Sequence, residues 1–209
     1  MTENSLKVIS DSGKGRAFVT LREEGSNFDI VDDSFIAKTR SIVLETPKIS
    51  ESNWKIVTES LENTLSQNKV RQTIVIGNEA TTAIAQNFYL RNPKLVRSLV
   101  FFNPVTRPNP TSFEKFTQSV EKKLPLGLPL RSASKGFDSK SFLHRMRCPI
   151  LLFLLKSSST YYKEQASMME KGLTTAWLHE VVNIESEDTK TIIREFVDIP
   201  VKCPQKNKK

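Results

Sequence analysis

Glycine is scarce in this chain, with seven residues in 209, and the seven are scattered. They form no glycine-rich loop that could cradle a phosphate, which excludes the nucleotide chemistry that depends on such loops. Cysteine is scarcer. Cys148 and Cys203 are the only two, too few and too far apart for a disulfide framework or a metal-ligand pattern, and both read as reduced thiols. Neither a metal nor a cofactor is expected. Histidine is limited to His144 and His179, so any chemistry that needs an imidazole has two candidates. No apolar run approaches the roughly 18 residues that span a bilayer. The start, MTENSLKVISDSGKG, lacks the apolar segment of a secretory signal, so a cytoplasmic location is the expectation. The chain shows no internal repeat.

What is present in excess is positive charge, and it is localised. The formal net charge is +8. From Arg107 to Arg147 nine Lys and Arg stand against Glu114, Glu121 and Asp138, and the last eight residues carry four more lysines. The rest of the chain is close to neutral. Such a balance favours acidic partners, and an anionic membrane surface is one. Nucleic acid is the weaker fit: Phe113 and Phe116 are interleaved with lysines, but no recognised nucleic-acid-binding module accompanies them.

At 209 residues the chain is long enough for one domain with a sizeable core. The stretch Val70 to Val105 organises it. Thr73-Ile74-Val75-Ile76 is an uncharged β-branched run, suited to a central strand buried on both faces of a parallel sheet. Gly77 breaks the run, and from Thr81 to Tyr89 the small and apolar residues Ala83, Ile84, Ala85 and Phe88 recur at helical spacing. Asn92-Pro93 stops that helix, and Val96 to Phe102 supplies the next strand. Strand, sharp turn, helix and parallel strand make one βαβ unit, and its turn lies where open α/β sheets hold their ligands.

Three groups of residues resemble the α/β-hydrolase family. Gly77-Asn78-Glu79-Ala80-Thr81 has the small-x-nucleophile-x-small form of the family's elbow. Asn92-Pro93-Lys94-Leu95-Val96-Arg97-Ser98-Leu99-Val100 is similar to the segment that follows the elbow helix. Phe142 to Leu155, with Cys148-Pro149 at the head of an apolar strand, is similar to the strand after the family's cap. Residues Ala176 to Phe196 look like the C-terminal strand, histidine loop and helix, so the likeness covers roughly Ser41 to Val197. It implies an α/β protein: a three-layer α/β/α sandwich around a mostly parallel sheet, with the cap reduced to a short basic lid at about 106–141. On this reading residues 1–201 form a single domain and 202–209 a disordered basic tail.

The likeness in fold comes with a departure in chemistry. Serine hydrolysis needs a nucleophile, a histidine to take its proton and an acid to orient that histidine. The nucleophile position falls on Glu79, and the acid loop reads Ser157-Ser158-Ser159, with no carboxylate before Glu164. His179 has a spacing compatible with the histidine loop, yet Trp177-Leu178-His179-Glu180-Val181 reads as strand, which moves the loop to Asn183-Ile184-Glu185. His144 stands in a basic linker and reads as a surface residue. A strand ending in His-Gly, whose loop helps bind the oxyanion, is not found between Val31 and Thr73.

Elsewhere, Ala17–Leu21 and Phe28–Val31 suit an antiparallel hairpin at a sheet edge, preceded by an irregular segment up to Gly15. Ser34–Lys38 is a weak further strand. Ser41–Glu45 is a strand, Ser50 to Asn53 supply capping residues with acidic charge, and Trp54, Val57, Leu61 and Leu65 form the inward stripe of a helix. In the lid, Phe113, Phe116 and Val120 share one face and suggest a contact surface, followed by the helix-breaking run Leu124 to Leu130. Tyr161–Gly172, Thr174–Val182 and Ser186–Val197 read as helix, strand and helix.

The combined expectation is a pseudo-hydrolase that binds a small-molecule ligand or a protein partner. Two alternatives stand beside it. One is a hydrolase acting on an ester or related bond through a rearranged site around Glu79 and His179. The other is a peripheral membrane protein that docks through the basic lid.

Overall fold

The structure, a computed structural model, describes residues 5–28, 30, 39–50, 52–107 and 137–198. Among the described residues seven strands form one sheet: β1 (Lys7–Gly13), β2 (Arg16–Glu23), β3 (Thr39–Thr46), β4 (Thr73–Asn78), β5 (Val96–Phe102), β6 (Ile150–Leu155) and β7 (Ala176–Val181). Their spatial order is β1-β3-β2-β4-β5-β6-β7. Only β1 runs antiparallel to its neighbour; every other pair is parallel. The uncharged β-branched run at Thr73–Ile76 therefore lies at the middle of the sheet, as its composition predicts.

Helices cover both faces. On one, α1 (Trp54–Gln67), α2 (Ala80–Arg91), α3 (Thr160–Gly172) and a 3-10 helix (Ser139–Arg145) pack against inward residues such as Leu21, Leu44, Val75, Phe101 and Leu152. On the other, α4 (Glu187–Asp198) lays Ile193, Phe196 and Val197 against Phe18, Ile74, Ile76, Phe102 and Phe153. Ile192 is only half-buried there. This is the three-layer α/β/α arrangement around a mostly parallel sheet. The elbow helix α2 is buried along nearly its whole length, from Ala80 to Tyr89. Its small residues are what allow that, because alanine and threonine let the helix axis lie close to the strands.

The N-terminal region departs from the sequence reading. Lys7–Gly13 is a strand rather than irregular chain, and it is exposed throughout. Its place is secured by backbone pairing with β3 and by Asp11, which accepts from Arg40 Nε (2.8 Å) and Nη2 (2.6 Å). Ala17–Leu21 does form a strand, but no hairpin. β2 lies inside the sheet between β3 and β4, parallel to both, while Phe28 and Ile30 are buried without strand pairing. Parallel partners reached through long connections outcompete the local turn here. The Ser34–Lys38 candidate lies outside the described residues.

The start of α1 is a second correction. The Asn53 side chain does not cap it; its Oδ1 accepts from Ser50 N–H (2.8 Å) and its Nδ2 donates to the Lys48 carbonyl (2.9 Å). The first turn of α1 holds no acidic residue. The chain leaves the sheet after β5 and returns through a closed neck. Ser139 N–H donates to Thr106 O (3.0 Å), Arg107 pairs with Asp138 (2.7 Å), and the Gln86 amide receives the Ser139 hydroxyl while donating to Val105 O (2.8 Å). No described helix is long and apolar enough to cross a membrane.

Candidate functional site

The turn from β4 into α2 has the backbone of a strained elbow. Glu79 sits at its apex with φ 50° and ψ −120°, a conformation that non-glycine residues adopt only when their surroundings impose it. The surroundings here are specific. Glu79 N–H donates to Phe102 O on β5 (2.9 Å), and its carbonyl accepts from Thr82 N–H (3.0 Å) and the Thr82 hydroxyl (2.6 Å). Thr81 Oγ1 accepts from Asn78 N–H (2.8 Å), with the carbonyls of Asn78 (2.8 Å) and Leu21 (3.2 Å) within reach of its own proton. Gly77 leaves room for the helix: a Cβ there would lie 3.2 Å from both Thr81 Oγ1 and Thr82 N. All five elbow residues, Gly77, Asn78, Glu79, Ala80 and Thr81, thus form one hydrogen-bonded turn, with Ala80 buried as the first residue of α2.

The group that meets Glu79 is Tyr162, in the first turn of α3. Burial first, and then the neighbouring Glu79 carboxylate, push the Tyr162 hydroxyl well above the usual phenol range. It is a protonated donor at any physiological pH. Tyr161, whose ring lies edge-on to that of Tyr162 (centroids 5.4 Å apart), and Glu23 at the end of β2 add smaller upward contributions. Glu23 is anchored by the Ile49 N–H (3.0 Å). The apex therefore combines a carboxylate acceptor with a phenol donor.

The sequence reading missed Tyr162 and Glu23. Neither lies near Glu79 in the chain. A topological signal was available: α3 begins, and β2 ends, at the same carboxyl edge of the sheet as the elbow, since β2 pairs with β4 and β6 leads directly into α3.

The other predicted site residues are placed as follows. His179 lies inside β7, in register with Phe153, its ring 6.1 Å from the Phe153 ring on the α4 face of the sheet. Among the described residues it shares no hydrogen bond with Glu79. The segment after β7 is used structurally: Asn183 Oδ1 accepts from Glu185 N–H (3.1 Å), and its carbonyl receives the hydroxyls of Ser186 (3.0 Å) and Thr189 (2.9 Å), which locks the entry to α4. His144 is exposed on the 3-10 helix. In the serine run, Ser158 Oγ donates to Asn103 Oδ1 (2.5 Å), which also receives Leu155 N–H (3.3 Å). Ser157 and Ser159 are exposed, Ser159 immediately before α3. The lid residues Phe113, Phe116 and Val120, and the basic tail, lie outside the described residues.

The strand beside the elbow strand is β2, so the loop facing the elbow is Glu24–Phe28, upstream of the Val31–Thr73 interval in which the resemblance places the His-Gly loop. It reads Glu24-Gly25-Ser26-Asn27. Glu24 N–H donates to Thr46 O (2.8 Å) and Ser26 N–H to Glu23 O (3.0 Å), so both amides are committed. This arrangement can hold a polar group between Glu79 and Tyr162. It does not bring together the nucleophile, imidazole and acid that acyl transfer requires.

No protein-family model matches the sequence, and no curated protein matches it. Solved structures do. An α/β hydrolase enzyme from the metagenome of sediments of the Mar Chica lagoon, Morocco, superposes with a TM-score of 0.67 at 17% identity, covering 94% of this chain and 96% of that one. A thermophilic esterase from Thermogutta terrifontis gives 0.69 at 13%, covering 92% of each. An esterase from Exiguobacterium antarcticum gives 0.66 at 14%, covering 92% and 95%. The chain has the α/β-hydrolase fold.

Proposed function

We propose that this chain is a non-catalytic binding protein built on the α/β-hydrolase fold, which takes a small ligand or a protein partner at the elbow without breaking a bond in it. The observation that carries this reading is the apex itself: the strained tip of the elbow is Glu79, with the Tyr162 hydroxyl nearby, in the place where acyl transfer would need a serine faced by an imidazole. A carboxylate can attack carbon, but the ester it forms must then be opened by an activated water. His179 packs beside Phe153 within a strand, and the serine run is tied to Asn103, so neither supplies that activation. The Glu79 and Tyr162 pair instead offers one acceptor and one donor, which fits a hydroxyl, amide or protonated amine on the bound molecule.

The purified chain is assayed with p-nitrophenyl acetate and labelled with a fluorophosphonate probe. The expected result is hydrolysis at the buffer rate and no labelling, with Glu79→Ser equally silent because one restored hydroxyl still lacks a base. Turnover by the wild-type chain that disappears in Glu79→Ala or His179→Ala overturns the proposal in favour of a rearranged hydrolase.

A further inference from the structure

A second site lies at the other end of the elbow helix. Asn87 is seven residues beyond the first residue of α2, about 10 Å along the axis at the usual helical rise. It borders a cavity of ≈ 560 Å³ between the end of α2 and the 3-10 helix. That volume is in the range of small-molecule sites. Leu90, Pro93, Phe137 and Phe142 give it apolar walls, and Arg145 stands at its margin.

Three observations give this cavity a chemistry. First, the Arg145 guanidinium lies over the Phe142 ring, 5.7 Å from its centroid, and no carboxylate among the described residues pairs with it. Among the described residues it is a cation without a counter-ion, held at the margin of an apolar hollow. Second, none of the described residues lining the cavity is acidic. Third, Asn87 is only 8% exposed, yet its Oδ1 has no hydrogen-bond partner. A buried amide oxygen without a partner costs free energy, so it needs an explanation. The oxygen is enclosed while the residue borders the cavity, so a turn about the last bond of the side chain relieves the oxygen and sets the amide against an occupant. Tyr89 makes no such demand, since its hydroxyl already accepts from Arg147 N–H (3.0 Å).

We infer that this cavity binds a small organic anion: a flat apolar body lodged between Phe137, Phe142 and Leu90, with a carboxylate directed at Arg145 and one edge hydrogen-bonded to Asn87. The site is separate from the elbow and does not depend on whether the elbow is catalytic.

The test uses the full chain and three probes of one shape, 1-naphthoate, 1-naphthalenemethanol and 1-naphthylmethylammonium, titrated by calorimetry and by 15N-resolved NMR. Naphthoate is expected to saturate, to shift the Asn87 side-chain amide resonances, and to bind about tenfold or more tightly than either the alcohol or the ammonium, as a charge-assisted contact requires. Arg145→Glu, an exposed change that leaves the core untouched, is expected to remove that preference. Leu90→Trp fills the hollow and is expected to abolish binding of all three. Equal affinity for the anion and the ammonium, naphthoate binding unchanged in Arg145→Glu, or no saturable binding with the Asn87 resonances unmoved would each overturn the proposal.

Discussion

At the end of β4 and again at the end of β6 the chain makes the same manoeuvre, a parallel strand turning into a helix that packs back on the sheet. The two turns are held in different ways. The first is strained at its apex, and its geometry is imposed from outside by Phe102 O, the Thr81 hydroxyl and the close approach of α2 to Gly77. The second, from Leu155 to Ser159, carries no positive φ and is tied by ordinary hydrogen bonds: Lys156 N–H to Val181 O, Ser158 N–H to Leu155 O, and the Ser158 hydroxyl to Asn103. A turn whose shape is set by its neighbours keeps that shape whatever side chain stands at its apex. A relaxed turn keeps only what its own residues supply. Hence the elbow persists with glutamate at its tip, while the turn after β6 holds serines that serve the backbone.

Three substitutions break or sharpen that comparison. Gly77→Val has the largest expected effect, because its Cβ lies 3.2 Å from the Thr82 backbone nitrogen, and the added methyls force α2 away from the strand; a loss of about 3 kcal/mol in urea unfolding is expected. A change under about 0.5 kcal/mol would mean that the elbow does not depend on that close approach. Asn103→Ala tests the second turn. It strands Leu155 N–H and the Ser158 hydroxyl and places alanine at φ 44°, for an expected loss of about 2 kcal/mol. Glu79→Gly is the smallest and has the opposite sign. Relief of the strained apex outweighs the extra entropy of glycine in the unfolded chain, for a net gain of about 1 kcal/mol. A loss of stability in Glu79→Gly would show that the carboxylate contact with Tyr162 holds the apex more firmly than strain opposes it.

The middle of the sheet is legible in the sequence because its elements are locally consistent. Thr73–Ile76 has no alternative to a buried strand, Val96–Phe102 matches its observed limits, and the stripe of Trp54, Val57, Leu61 and Leu65 marks α1 to within a residue or two. The edge is not legible. Lys7–Gly13 has only the adjacent Val8 and Ile9 as apolar residues, shows no alternation and buries none of its side chains, and its pairing is decided by the β3 backbone and by Arg40, both far along the chain. The same limit applies to the site. Glu79 stands out from its position in a motif, but Tyr162 is identified only by the folding of α3 against the same edge. Asn87 looks like an unremarkable helix residue until its burial and its missing partner are seen together.

The position of β2 has a consequence for how the chain must be assembled. Phe18 pairs with Ser41 on one side and Ile74 on the other, so neither ladder is local. On a ribosome this strand emerges before either neighbour; one of its hydrogen-bonding edges is unmet until β3 has been synthesised, and the other until β4 has. Closing such long loops is slow, and unpaired apolar strands associate with other chains in the meantime. The first eighty residues therefore form the interval in which a nascent chain of this protein is most exposed to aggregation and most in need of a chaperone.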